Sequence, residues 1–283
     1  MELKVAILED LTKTSAFVGL YFILFLLAKW MKDFSTPYKI SDELTQEDNL
    51  AVAVTMCGYY IGTAAIFVGA LLGPSQGFTS DLVMVGGYSI LGLIFLNLSR
   101  FINDKVILKE FCNIEQLTKE HNVAVGAVQF GTYLATGLIA AGAVTGTGGG
   151  IDTAVVFFVL GQLSLLLFVR IYDFFTAYSV HEELGKKNLA AGAALGGNLV
   201  ALSIIVLNGV AGSFVSWTEN IIYLAIVNVV AFVFLLVVRF LMDKLIIPRD
   251  ALSREIIEDR NLGAGFLEAT VAISFAIVLK VLI

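Results

Sequence analysis

The chain has 283 residues, 58% hydrophobic and 15% charged, with a mean hydropathy of +0.88 and a formal net charge of −6. So much apolar surface cannot be enclosed in one water-soluble core of ordinary size, which excludes a conventional soluble domain and makes a bilayer the implied solvent. The acid excess does not set orientation, because topology follows Lys and Arg near span ends rather than net charge.

About 20 apolar residues carry a helix across a hydrocarbon core of roughly 30 Å. The sequence predicts eight such spans, near 12–31, 50–73, 82–102, 122–144, 151–172, 188–212, 219–242 and 262–283, hence an all-α polytopic membrane protein. Residues 1–11 are mixed in charge, and Lys29 and Lys32 close the first apolar run, the pattern of a retained span rather than a removable signal. The linkers after the first, third, fifth and seventh spans hold 15 Lys and Arg residues, and 74–81, 145–150 and 213–218 hold none. Those charges predict cytoplasmic linkers and both termini outside, with Lys4 and Lys13 a weak opposing signal. Cys57 falls inside the second span and Cys112 in a charged linker, so no disulfide is expected.

Each charged linker repeats one device. A basic residue and an Asp three or four positions on are followed by a polar stretch, then Asn and a small-residue apolar run: Lys29/Asp33 to Asn49, Arg100/Asp104 to Asn122, Arg170/Asp173 to Asn188 and Arg239/Asp243 to Asn261. Residues 33–44 realign on 173–184, and Arg100, Asp104, Asn122 and Gly126 match Arg239, Asp243, Asn261 and Gly265 at a constant spacing of 139. The chain therefore reads as two tandem four-helix units, 1–144 and 151–283, joined by the Gly-rich linker 145–150. An even number of spans per unit makes them parallel repeats, and an axis along the membrane normal is expected to relate them. The even spans are rich in Gly and Ala and the seventh is bulky, which puts even spans inside and odd spans against lipid.

Asn49, Asn122, Asn188 and Asn261 each precede a span, where Asn caps the unpartnered N–H groups of the first turn. The functional alternative gathers four helix N-termini at a cytoplasmic mouth that attracts an anion. Glu268 lies about 10 Å into the last span at ~1.5 Å per residue, too deep for easy snorkelling, so it must be neutral, paired or facing water. Its repeat counterpart is Gln129, which permits a hydrogen bond between the two or a single titratable site. A protonated structural bond and a proton- or ion-handling role both fit; Asn198 is a weaker case of the same kind, as are Asn208, Asn228 and Gln162. Arg100 with Asp104 and Arg239 with Asp243 stand at helical spacing for interfacial ion pairs in which the Arg also reaches lipid phosphate. GTGGG at 146–150 lacks the Lys-Ser/Thr of a phosphate loop, His121 and His181 have no partners at metal-ligand spacing, and no nucleophile–base spacing appears. An enzyme, a metal and a cofactor are not expected.

At Arg239 to Pro248, followed by Glu255-Ile256, Asp259-Arg260-Asn261-Leu-Gly-Ala-Gly265 and Glu268-Ala269, the chain resembles the bacterial YjfL-like inner-membrane family of unknown function, here as two fused copies. The first copy departs from it with Gln129 for the acid, Leu108 for Pro248 and Gln116 for Glu255. The resemblance implies a multi-pass plasma-membrane protein found beside phage-shock-like membrane-stress proteins, and it carries over no catalytic residue. Two functions are expected to compete. One is a permeation or transport bundle that handles a proton or small ion at Glu268. The other is a membrane scaffold whose charged linkers recruit a cytoplasmic peripheral membrane-stress protein. The bilayer is the first partner, a homo-oligomer is compatible with the pattern, and nothing suggests nucleic acid.

Overall fold

The computed structural model describes residues 2–106, 113–146, 148–176, 178–247 and 250–283, and among them the fold is helical with no β-sheet. Among the described residues, eight helices are long and apolar enough to cross a membrane. They are α1 (Glu2–Ser35), α3 (Leu50–Leu71), α4 (Phe78–Val106), α6 (Val123–Thr145), α7 (Ile151–Phe175), α9 (Leu189–Val210), α10 (Trp217–Leu241) and α12 (Leu262–Leu282). Short helices α2 (Ile40–Thr45), α5 (Asn113–Thr118), α8 (Val180–Gly185) and α11 (Leu252–Ile257) fill the four charged linkers. A π-helical turn, Met242–Ile246, ends α10.

All four linker-to-span junctions have one geometry. Asp48, His121, Lys187 and Arg260 take positive φ, a conformation that reverses the chain, and the next residue in each case is the capping Asn. Each Asn Oδ1 accepts from a first-turn N–H, of Val52, of Ala124 and Val125, of Ala190 and Ala191, and of Ala264. Each Nδ2 donates back to the side chain of Glu43, Gln116, Glu183 or Glu255 at 2.6 to 2.8 Å. In three of the four, the same Nδ2 also reaches the following linker helix: Asn49 to the Leu117 carbonyl, Asn122 to Leu184 and Asn188 to Ile256, all at 2.8 Å. Asn122→Ala therefore removes a cap worth about 1 kcal/mol and the amide's bond to the Leu184 carbonyl, worth about 1 kcal/mol more, while that carbonyl keeps the Lys187 N–H at 3.0 Å. Asn261→Ala removes the cap and the Glu255 bond but no tie to a following linker helix, so denaturant unfolding in detergent should show a larger loss for Asn122→Ala.

The even spans stand in a row, α3 against α6, α6 against α9 and α9 against α12. One contact builds every step. Gly126, Gly192 and Gly265, each four residues past its Asn, lie on the backbones of Ala51, Ala124 and Ala190, each two residues past the preceding Asn, so closely that a Cβ would strike a carbonyl. Gly58 on Phe130, Gly131 on Gly196 and Gly197 on Ala269 continue the same step one turn higher. Because the operation that carries α3 to α6 also carries α6 to α9 and α9 to α12, the second unit follows the first by a step along the row. Small residues dictate close approach but not which helix approaches, so the row is visible only in the folded chain. The odd spans lie across the grooves, α4 on α3 and α6, α7 on α6 and α9, α10 on α9 and α12, with α1 on α4 and α3. The expectation that even spans are interior holds for α3, α6 and α9 and fails for α12, where 33% of the apolar stretch is buried against 83% for α9, because α12 ends the row.

Candidate functional site

The deepest charge cluster is assembled from four spans of the second unit. Glu268 of α12 is 1% exposed. Three donors converge on its Oε1: Arg239 Nη1 of α10, the Tyr172 hydroxyl of α7 at 3.0 Å and Asn198 Nδ2 of α9 at 3.0 Å. Arg239 Nη1 also donates to Tyr172 Oη at 3.0 Å, and its guanidinium stands over the Tyr172 ring, 5.2 Å from the centroid. Such a pair is what the low dielectric demands, since a carboxylate at this depth without a cation would be costly. Glu268 Oε2 and Arg239 Nη2 are buried with no hydrogen-bond partner. Burial, aided by the Glu268 charge and opposed by Arg239, pushes the Tyr178 hydroxyl up to about 12, so it stays a proton donor at neutral pH.

Two sequence expectations are corrected here. Arg239 does not pair with Asp243 and turn to phosphate: it points inward to Glu268, and only 13% of its side chain is exposed. Asp243, within the π turn, instead accepts from the Leu252 N–H at 2.9 Å and pairs with Lys244 at 3.2 Å, fastening α11. An acid inside the membrane outcompetes one at its edge for the nearest guanidinium, because pairing is worth more where water is absent. Gln129 does not meet Glu268 either. It is buried on α6, and α9 stands between α6 and α12. Arg100 donates to the Ser35 carbonyl at 2.9 Å, and the Asp104 side chain lies outside the described residues. Lys29 and Asp33 do form the expected pair, at 2.8 Å.

The four Asn caps stand along the row rather than around a mouth, and their amides are occupied by the linker helices, so the N-termini do not gather around one anion. Beside them, burial raises the Glu183 carboxyl, but the bonds from Asn188 and Lys186 outweigh it and hold it below the usual carboxylate range.

Tyr172 and Tyr178 were not legible as site residues. The available signal was the repeat itself. The first-unit counterparts of Tyr172, Asn198, Arg239 and Glu268 are Lys32, Tyr59, Arg100 and Gln129, so every cluster position but the Arg changes chemical class. In the first unit Lys32 is buried, bonds to the Tyr133 hydroxyl and lies over the Tyr59 and Tyr133 rings, 5.4 and 4.3 Å from their centroids. The two units thus hold opposite solutions at one place in the fold: an acid compensated by Arg, and a cation boxed by aromatic rings.

A model of a domain of unknown function, DUF350, matches residues 6–144 and again 147–283. The chain belongs to the DUF350 family. It carries the domain twice in tandem. It is 24% identical over 275 residues to a UPF0719 transmembrane protein of Aquifex aeolicus (strain VF5), covering 94% of this chain and 98% of that protein. It is 27% identical over 122 residues to the UPF0719 transmembrane protein YshE of Bacillus subtilis (strain 168), covering 43% of this chain and 86% of that one. The Aquifex relative is matched end to end, while the Bacillus relative is matched by less than half of this chain, as a single unit would be. No solved structure matches.

Proposed function

We propose that this DUF350 chain handles protons or small ions at the Glu268–Arg239 pair, with Arg239 acting as a switch between two carboxylates. What supports the reading is the lopsided carboxylate: three donors crowd Oε1 while buried Oε2 and Arg239 Nη2 have no partner. Buried polar atoms are ordinarily satisfied, above all in a membrane, and exceptions collect at working sites. A proton arriving on Oε2 neutralises Glu268 and removes the attraction that holds Arg239. The freed guanidinium has Asp243 one helical turn away, and both residues line one groove of about 590 Å³ with Phe175, Phe240 and Leu252. The charged linkers are placed in the cytoplasm and the termini outside, on the Lys and Arg distribution, and the 239–269 motif is read as YjfL-like.

Purified protein in liposomes should carry a proton or small-cation flux that Glu268→Gln abolishes. A wild-type flux equal to that of empty liposomes sinks the proposal. The second reading is a scaffold for a cytoplasmic membrane-stress protein, supported by the Asn amides that staple α5, α8 and α11 to the spans and so make a rigid charged face. Under it, neutralising Glu182, Glu258 and Asp259 would release a co-purifying soluble protein while Glu268→Gln would not.

A further inference from the structure

On the face opposite the charged linkers, the two units differ at matching positions. The spacing of 139 that relates the Arg and Asn residues also relates α4 to α10: Phe78 and Trp217 open the two helices, and Asp81 and Asn220 stand in their first turns. Both side chains fasten the preceding loop. Asp81 Oδ1 accepts from the Gln76 N–H at 2.7 Å, and its Oδ2 accepts from the Ser75 hydroxyl at 2.6 Å. Asn220 Oδ1 accepts from the matching Val215 N–H at 3.0 Å and from the Ser216 N–H at 3.2 Å. A neutral amide thus does the same local work, and the negative charge of Asp81 is not needed for it.

The space beside the two residues differs as well. A cavity of about 270 Å³ lies beside Asp81, lined in part by Phe17, Ser75, Gln76, Met84 and Tyr88. The one beside Asn220 holds about 30 Å³, although Phe157, Gly212 and Phe214 line it where Phe17, Gly73 and Ser75 line the first. Rings fill the difference. Phe214, at the place of Ser75, packs edge-on against Trp217 at 5.0 Å, and Trp217 stacks on Phe157 at 6.2 Å. In the first unit Phe78 meets Phe17 edge-on at 6.2 Å, and the small Ser75 leaves the place of the Phe214 ring empty.

We infer that the Asp81 cavity is a binding site for a small organic cation, an alkylated ammonium that fills the hollow and pairs with the carboxylate. Among the described residues no Lys or Arg pairs with Asp81, and Lys13, one turn from Phe17, lines a neighbouring groove with Asp10. Each carboxylate oxygen keeps a lone pair once Ser75 and Gln76 are served. Phe17, Tyr88 and the thioether of Met84 supply the polarisable wall that alkylated ammonium groups favour. A hard inorganic cation such as calcium takes about six or more oxygen ligands. Among the described residues no three acidic, His or Cys side chains gather to hold one. The site does not depend on the role assigned to Glu268.

Choline is the probe, and dimethylbutanol is its uncharged isostere. Titration calorimetry of the purified chain in an uncharged detergent should show choline binding about tenfold or more tighter than dimethylbutanol, with no displacement of choline by an equal concentration of potassium. Asp81→Asn copies the second unit and keeps an acceptor for the Gln76 N–H. It should weaken choline binding by about tenfold or more and leave thermal unfolding unchanged. Ser75→Phe copies Phe214, keeps the charge and closes the hollow, so it should abolish binding. Absence of choline binding, equal binding of dimethylbutanol, displacement by potassium, or wild-type affinity in either variant overturns the inference.

Discussion

Arg239→Met should destabilise the protein by about 3–5 kcal/mol, the range for removing one partner from a buried ion pair. The loss has little to do with the attraction given up. The substitution leaves Glu268, 1% exposed, with the Tyr172 hydroxyl and the Asn198 amide as donors and no cation to balance it. The carboxyl can escape only by taking up a proton, which moves the cost from electrostatics to protonation. The double variant Arg239→Met with Glu268→Gln removes both charges and keeps an acceptor for Tyr172 and Asn198, so it should recover most of the loss. Denaturant unfolding in detergent over the four-protein cycle measures the coupling. Additive effects of the two substitutions would mean that the pair does not act as a pair.

Gly131→Leu should cost about 3 kcal/mol or more, the upper end for overpacking, because the obstruction is backbone that cannot rotate aside. A Cβ at Gly131 would fall on the carbonyl, Cα and carbonyl carbon of Gly196, where the first unit meets the second. Gly58→Leu should behave alike, since its Cβ would lie 2.5 Å from Phe130 Cα and carbonyl oxygen. Gly87→Leu is the control. Nothing stands within 4 Å of a Cβ there, and its stability should match the wild type. Equal behaviour of Gly131→Leu and Gly87→Leu would refute the close backbone contact as the source of the row's strength.

Local features of this fold could be read in the sequence, and long-range choices could not. The spans follow from lengths of apolar residues, and the duplication from the constant spacing between Arg100, Asn122 and Gly126 and their counterparts. The Asn caps needed only their place before a helix. Which helices become neighbours is different: Gly58, Gly131 and Gly192 advertise close contact and leave the partner open. Arg239 misled for a related reason. Asp243 stands four residues away and offers a local pair, while Glu268 is 29 residues on and becomes adjacent only once α12 has packed beside α10. The expectation that Glu268 must be neutral, paired or facing water left a cationic partner open without naming one. Only the tertiary fold supplied the answer.

Infrared difference spectroscopy of wild type against Glu268→Gln reads the central claim most directly. At neutral pH the wild type should contribute the stretch of an ionised carboxylate, replaced by the carbonyl band of a protonated acid when Arg239 is changed to Met. A protonated-acid band from Glu268 in the wild type would contradict the Glu268–Arg239 ion pair on which the site rests.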